Sequence, residues 1–232
     1  MTTALHQRQR SWMFVPGNRE RFLAKASACD SDAVLLDLED GVLPADKSRA
    51  REMTAAVLAG NWGTSRRYVR LNALDTNWFK EDLEAVVRPG LVGVCMTKVS
   101  KAGDVVEAAS LIDRLEQKVG MEAGSVRILA AIESARGLLN APAIADAHPR
   151  LVGLMFGAED YALDVGLGTH REAEASELIH ARSSIVVAAT AARILSIDGV
   201  YPNIDDRAGL TRDACRRAGS ASRRSRRSIP SR

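Results

Sequence analysis

DAVLLDLEDGV, residues 32–42, is the stretch from which the fold can be read. Ala33 to Leu36 shows no alternation of apolar and polar side chains. A strand of that kind is buried on both faces, as strands of parallel sheets are. The run then breaks into acids at Asp37, Glu39 and Asp40. A period of two puts Asp37 and Glu39 on one face of the strand, with Asp40 on the other face or in the loop. The next segment, PADKSRAREMTAAVLAG (44–60), reads as a helix closed by Gly60. Apolar strand, charged break and helix form the unit that recurs along the chain.

Outward from that unit, WMFVPG (12–17) is a strand with a Pro-Gly stop, and NRERFLAKASACD (18–30) is a helix with Asn18 as its cap. RRYVRLNA (66–73), LVGVCMTKV (91–99), RILAAIES (127–134), LVGLMFGAED (151–160) and ILSIDGVY (194–201) are further strands. Helical stretches separate most of them. In DVVEAASLIDRLEQKVG (104–120), Val105, Ala109, Ile112 and Leu115 mark one face. Seven such strands predict an α/β fold of the (β/α)8 TIM-barrel type with seven strands present. A doubly wound nucleotide-binding sheet fits less well, because VPGNRE offers one glycine where a phosphate-cradling turn needs several.

The chain has 232 residues, 46% hydrophobic and 26% charged, enough apolar material for a substantial core. Its net charge of +3 is unevenly distributed. Seven arginines and no acid follow Cys215, and without them 25 basic residues face 29 acidic ones, a net −4. The basic character therefore belongs to the tail alone. Three cysteines with no C-x-x-C pair argue against a disulfide framework or a structural zinc site, and a reducing cytoplasm is the expected setting. No apolar run reaches membrane-spanning length, and the N-terminus lacks the apolar core of a secretory signal.

The polar residues gather where barrel enzymes build active sites, at strand C-termini. Asp37, Glu39 and Asp40 end the second strand, Arg70 and Asn72 the third, and Lys98 the fourth. Glu133 ends the fifth, and Glu159 and Asp160 the sixth. Glu133 and Asp160 terminate adjacent strands, so their carboxylates can converge, and two carboxylates with water suit Mg2+. The other reading is that they cap the helices that follow. Arg70 can grip a substrate carboxylate through two parallel hydrogen bonds, or form a structural ion pair with Asp37 or Glu39. Lys98 is a partner for those acids, and a Schiff-base role would want a drier, less acidic site. Trp78 and Phe79 read as packing residues, His148 as a helix-end residue, and His180 lies on a helix with no metal partner in register.

RSWMFVPGNRERFLAKA, DAVLLDLEDGV, VRLNA, TKV, AAIESARGLLN, LMFGAEDYALDVG, ARSSIVVAATAA and SIDGVYPNIDD, in this order over residues 10–206, resemble the HpcH/HpaI aldolase and citrate lyase β-subunit family, in its branch of citrate-lyase-β-like acyl-CoA lyases. The resemblance implies a Mg2+-dependent lyase that cleaves or forms a carbon–carbon bond in a 3-hydroxyacyl-CoA such as malyl-, citramalyl- or citryl-CoA. The products would be a 2-oxo acid and an acyl-CoA, with the CoA thioester a substrate rather than a prosthetic group. It further implies that Glu133 and Asp160 bind the metal, that Arg70 and Glu133 hold the 2-oxo acid, and that Asn18, Arg19 and Lys25 lie near the CoA phosphates. Asp37 and Glu39 would support the site or handle protons. A homo-oligomer, trimer or hexamer, goes with the family.

Past YPNIDDRAGLTRDACRRA the resemblance stops. The family's eighth strand, with its IHP-x-Q-like motif, and its C-terminal lid are not matched. RSIPSR (227–232) can be encoded by a string that, read from its third base, gives Ile-His-Pro-Ile-Gln. The expected organisation is therefore an incomplete barrel over residues 1–214 and a disordered, out-of-frame Arg/Ser-rich tail over 215–232. Two other functions compete: an aldolase of the same superfamily acting on free 2-oxo acids, and a nucleic-acid-binding protein using the tail. The acidic body and the absence of aromatics in the tail weigh against the second.

Overall fold

The computed structural model describes residues 9–167, 176–201, 203 and 205–221. Seven strands within them form one sheet, every neighbouring pair parallel and in strict chain order. They are β1 (Trp12–Pro16), β2 (Ala33–Asp37), β3 (Arg66–Arg70), β4 (Gly93–Met96), β5 (Arg127–Ile132), β6 (Leu151–Phe156) and β7 (Leu195–Ile197). Parallel neighbours need long crossovers, and helices occupy them. These are α1 (Glu20–Ser27), α2 (Lys47–Ala59), α3 (Trp78–Val86), α4 (Ala102–Val119), α5 (Ala135–Leu139), α6 (Ala141–Ala145), α7 (Ala158–Asp164) and α8 (Ile179–Ala191), with α9 (Arg207–Ala221) after β7. This is the predicted barrel-type winding, with β1 and β7 the two edges among the described residues. No helix among them is long and apolar enough to cross a membrane.

Alternation along the strands divides the core in two. Leu35, Tyr68, Cys95, Leu129, Ala131 and Met155 pack together inside the curled sheet, with Trp12 and Phe14 against them. Their neighbours Val34, Leu36, Val69, Val94, Met96, Ile128 and Ile132 face the helices. Val105, Ala109 and Ile112 of α4 are buried there with Leu115 packed alongside, as the helical period predicts. Phe79 is also buried in this layer.

Several boundaries differ from the sequence expectation. Asn18 does not cap α1, because its amide donates to Asp46 (3.1 Å) and Arg19 occupies the cap position. Gly60 ends α2 in an extended rather than left-handed conformation. LVGLMFGAED is not one strand. It turns at Gly157, so Glu159 and Asp160 lie in the first turn of α7. Glycine is required at the turn, since a Cβ at position 157 would collide with the Glu133 side chain. The tail boundary also moves: α9 runs through Cys215 to Ala221, so that part of the expected disordered tail is helical. Residues 222–232, which hold RSIPSR and five of the seven tail arginines, lie outside the described residues.

At the N-terminal ends of the strands, away from these acids, Arg150 is buried against Glu116, Asp113 and the Val126 carbonyl. Glu116 also accepts from the Gly124 and Val126 N–H groups (2.8 and 2.7 Å). This network closes the α4–β5 connection onto the start of β6. Arg150→Met leaves the Glu116 charge buried without its cation and is expected to cost about 3–5 kcal/mol. Urea unfolding measures that loss, and a change within about 0.5 kcal/mol would refute the assigned role.

Candidate active site

Asp37, Arg70 and Glu133 each stand two residues beyond an interior core residue: Leu35, Tyr68 and Ala131. The period that points those apolar side chains inward therefore points the next polar ones to the mouth of the sheet. Asp37 Oδ1 accepts from Arg70 Nε and from the Glu39 N–H (2.7 and 2.8 Å). Its Oδ2 accepts from Arg70 Nη2 and from the Gly41 N–H (2.7 and 2.9 Å). Arg70 Nη1 lies 3.0 Å from Glu39 Oε2, and its guanidinium sits 5.3 Å from the Phe14 ring centre. Burial alone would lower the Arg70 pKa, but the Asp37 and Glu39 carboxylates raise it, so the cation is permanent. The ion-pair reading of Arg70 thus holds in this structure for both acids. Three of its five N–H donors are engaged, which leaves two for an incoming carboxylate.

Lys98 adopts a left-handed backbone (φ 54°), rare for a residue with a side chain. From there its N–H donates to Glu133 Oε2 (2.9 Å) while Nζ lies 3.3 Å from Glu39 Oε1. Burial pulls its pKa down, but Glu39 outweighs that and holds the ammonium charged, which does not suit a Schiff-base lysine. Glu39 is 4% exposed, and its pKa is raised chiefly by burial, against the pull of Arg70. Glu133 is 6% exposed and has no ion-pair partner among the described residues. Burial first, and then the Glu39 charge, push it up to about 7. Helix capping next to it falls to Ser134, whose Oγ accepts from the Gly137 N–H (3.0 Å), so Glu133 does not serve as that cap.

Carboxylate oxygens of Glu39, Asp40 and Asp160 lie within 4.8 Å of one another. Asp160 also lies close enough to Glu133 to raise its pKa. Of the two acids expected to pair, Asp160 belongs to this cluster with Glu39 and Asp40, whereas Glu133 is near enough to feel its charge but is not one of the three. Oxygen-only donors converging in a partly dry site suit a hard divalent cation such as Mg2+. Glu133, with one donor and no cation, has the free capacity a ligand needs.

Beneath the β2 turn lies a layer that the sequence did not advertise. Lys47, 5% exposed, donates to the Leu38 and Glu39 carbonyls (2.6 and 2.7 Å) and sits 5.2 Å from the Trp78 ring centre. Asn72 donates to the Leu38 carbonyl (3.0 Å) and to Asp82 (2.6 Å), which pairs with Arg51. Beside the mouth, Pro16, Asn18, Arg19, Glu20, Arg21, Phe22, Gly41 and Arg49 line an open groove of about 650 Å³. Asn18 and Arg19, which the resemblance puts near the CoA phosphates, both line this groove. Lys25 is exposed in the last turn of α1 and does not line the groove. Arg21 and Arg49 were not anticipated; the density of arginine in NRER was the available signal.

The profile of the HpcH/HpaI aldolase/citrate lyase family matches residues 10–222. The chain is 39% identical over 206 residues to the citrate lyase subunit beta of Leuconostoc mesenteroides subsp. cremoris, covering 88% of this chain and 68% of the relative. It is 35% identical over 202 residues to the (3S)-malyl-CoA thioesterase of Cereibacter sphaeroides strain KD131, covering 87% and 66%. The crystal structure of protein CitE from Mycobacterium tuberculosis in complex with magnesium, acetoacetate and coenzyme A superposes with a TM-score of 0.74 at 35% identity, covering 89% of this chain and 71% of that one.

The raised pKa of Glu133 makes stability depend on pH. The folded state holds this proton up to about pH 7, whereas an unfolded glutamate releases it near 4.5. Stability is therefore lost as pH rises through that window, by on the order of 2–3 kcal/mol. Glu133→Gln removes the titration. In chelator-treated protein the variant is expected to match the parent at about pH 4.5 and to exceed it at about pH 8. Parallel urea-unfolding profiles for the two proteins would contradict the assignment.

Proposed function

The chain belongs to the HpcH/HpaI aldolase/citrate lyase family, and from that premise we propose that it is a Mg2+-dependent carbon–carbon lyase cleaving a 3-hydroxyacyl-CoA such as malyl-, citramalyl- or citryl-CoA. The observation that carries the reading is the mouth itself. Glu133 stands buried and without a cation beside Glu39, Asp40 and Asp160, while Arg70 keeps free N–H donors next to them.

In this reading Glu133 and Asp160 hold the cation, with Glu39 and Asp40 adjacent. When bound, Mg2+ supplies Lewis acidity to the hydroxyl and carboxylate oxygens of the substrate. The remaining donors of Arg70 take the carboxylate of the 2-oxo-acid half, and its fixed charge opposes the negative charge that grows there. The substrate hydroxyl loses its proton, the carbon–carbon bond breaks, and its electron pair leaves as the thioester enolate. Returning that proton to the enolate carbon completes a 2-oxo acid and an acyl-CoA. Asp37 is fully occupied by four donors and serves to hold Arg70. Glu39, with a raised pKa and only ion pairs at its oxygens, is the proton carrier. The arginines of the adjacent groove suit thioester phosphates. A homo-oligomer, trimer or hexamer, belongs to the same proposal and is checked by light scattering.

A panel of malyl-, citramalyl- and citryl-CoA and the corresponding free acids, assayed with Mg2+, tests this. One thioester is expected to be cleaved, with activity lost on chelation and in Glu133→Ala and Asp160→Ala. Arg70→Lys is expected to lower kcat/KM about 100-fold. Equal cleavage of free acids would move the assignment to an aldolase, and no cleavage of any thioester would defeat it.

A further inference from the structure

Lys47 is a buried ammonium with no carboxylate in ion-pair contact among the described residues. Its bonded partners are two consecutive carbonyls, Leu38 and Glu39, and the Trp78 ring lies on another side. Burying a lone ammonium is costly, so its position needs a compensating field. That field comes from Asp37, Glu39, Asp40 and Asp82, which oppose the downward pull of burial on its pKa. Asp82 is shared with Arg51, which lies nearer Glu81 (2.7 Å) than Asp82 (3.3 Å), so the acids beside Lys47 include those of the mouth and Asp82 together.

We propose that Lys47 is a positioning residue for the cation site: it clamps the Leu38 and Glu39 carbonyls so that the Glu39 and Asp40 carboxylates face Asp160. The geometry supports a role in orientation rather than contact. The carbonyl of Glu39 points down to Lys47 while its side chain meets Arg70 and Lys98 above. Asn72 holds the Leu38 carbonyl from the β3 side, so the turn is fixed from two directions. This inference rests on the reading of the mouth as a divalent-cation site.

The test is Mn2+ titration of the purified full-length chain by calorimetry, which needs no substrate. Lys47→Met is expected to bind Mn2+ about 10- to 100-fold more weakly than the unaltered protein, and Lys47→Arg to recover part of the loss. Arg150→Met, destabilised at the far end of the strands, is expected to keep the parent affinity, which separates positioning from general loss of stability. A folded Lys47→Met with parent affinity overturns the inference. Should that variant fail to fold, lysine acylation of the unaltered protein reads the same clamp. Lys47 is expected to react more slowly than exposed Lys118, and more slowly still in saturating Mn2+; equal rates with and without the ion overturn it. If the unaltered protein binds no Mn2+, it is the cation-site reading itself that falls.

Discussion

Asp37 has all four lone-pair directions filled by protein donors, and the mouth of the sheet takes its shape from that one carboxylate. Two donors come from Arg70 on the neighbouring strand and two from the backbone N–H groups of Glu39 and Gly41. The first two tie β2 to β3 at their ends. The second two bend the chain back over the strand, so that Glu39 returns to the interior face instead of running into solvent. Gly41 is needed for that bend, because a Cβ there would strike Asp37 Oδ2. Arg70 is held at a fixed angle, with its unused donors on the side away from Asp37.

Two buried glutamates show how surroundings separate support from chemistry. Burial would raise both. At Glu116, Arg150 and the backbone donors of Val126 and Gly124 overcome that cost and bring the carboxyl down to about 2. At Glu133 one N–H from Lys98 is set against burial and neighbouring acids, and the carboxyl rises to about 7. The first glutamate is complete within the folded chain, whereas the second carries a cost that only a bound cation or proton removes. Sites that tolerate such a cost are where binding energy is available to relieve it.

Much of this was legible in the sequence because it rests on short-range periodicity. Strands buried on both faces announced a parallel sheet, and the polar residue after each apolar run announced the mouth. What was not legible depends on partners distant in the chain. β6 ends at Phe156 and the chain turns at Gly157, packed too closely on the Glu133 side chain for any other residue, so Asp160 falls on a helix instead of a strand. Asn18 looked like a cap until Asp46 took its amide. Lys98 turns left-handed to reach Glu133 and Glu39 at once, and no local propensity predicts that. Nothing in the sequence singles out Lys47, since only the folded turn reveals the two carbonyls it reaches.

The groove and the mouth share a wall. Pro16 and Gly41 line the groove, and Gly41 also donates to Asp37 at the floor of the mouth. A ligand long enough to lie across both would be held by Arg19, Arg21 and Arg49 at one end and by Arg70 and the acid cluster at the other. Binding energy gained at the arginine end would then be available to hold the reacting end against the acid cluster. A short free acid reaching only the mouth would have to supply that energy from its own few contacts. If the proposed function holds, this geometry would favour a long anionic thioester over its free acid, for a reason set by the turn from Asp37 to Gly41 and independent of which acyl group the mouth accepts.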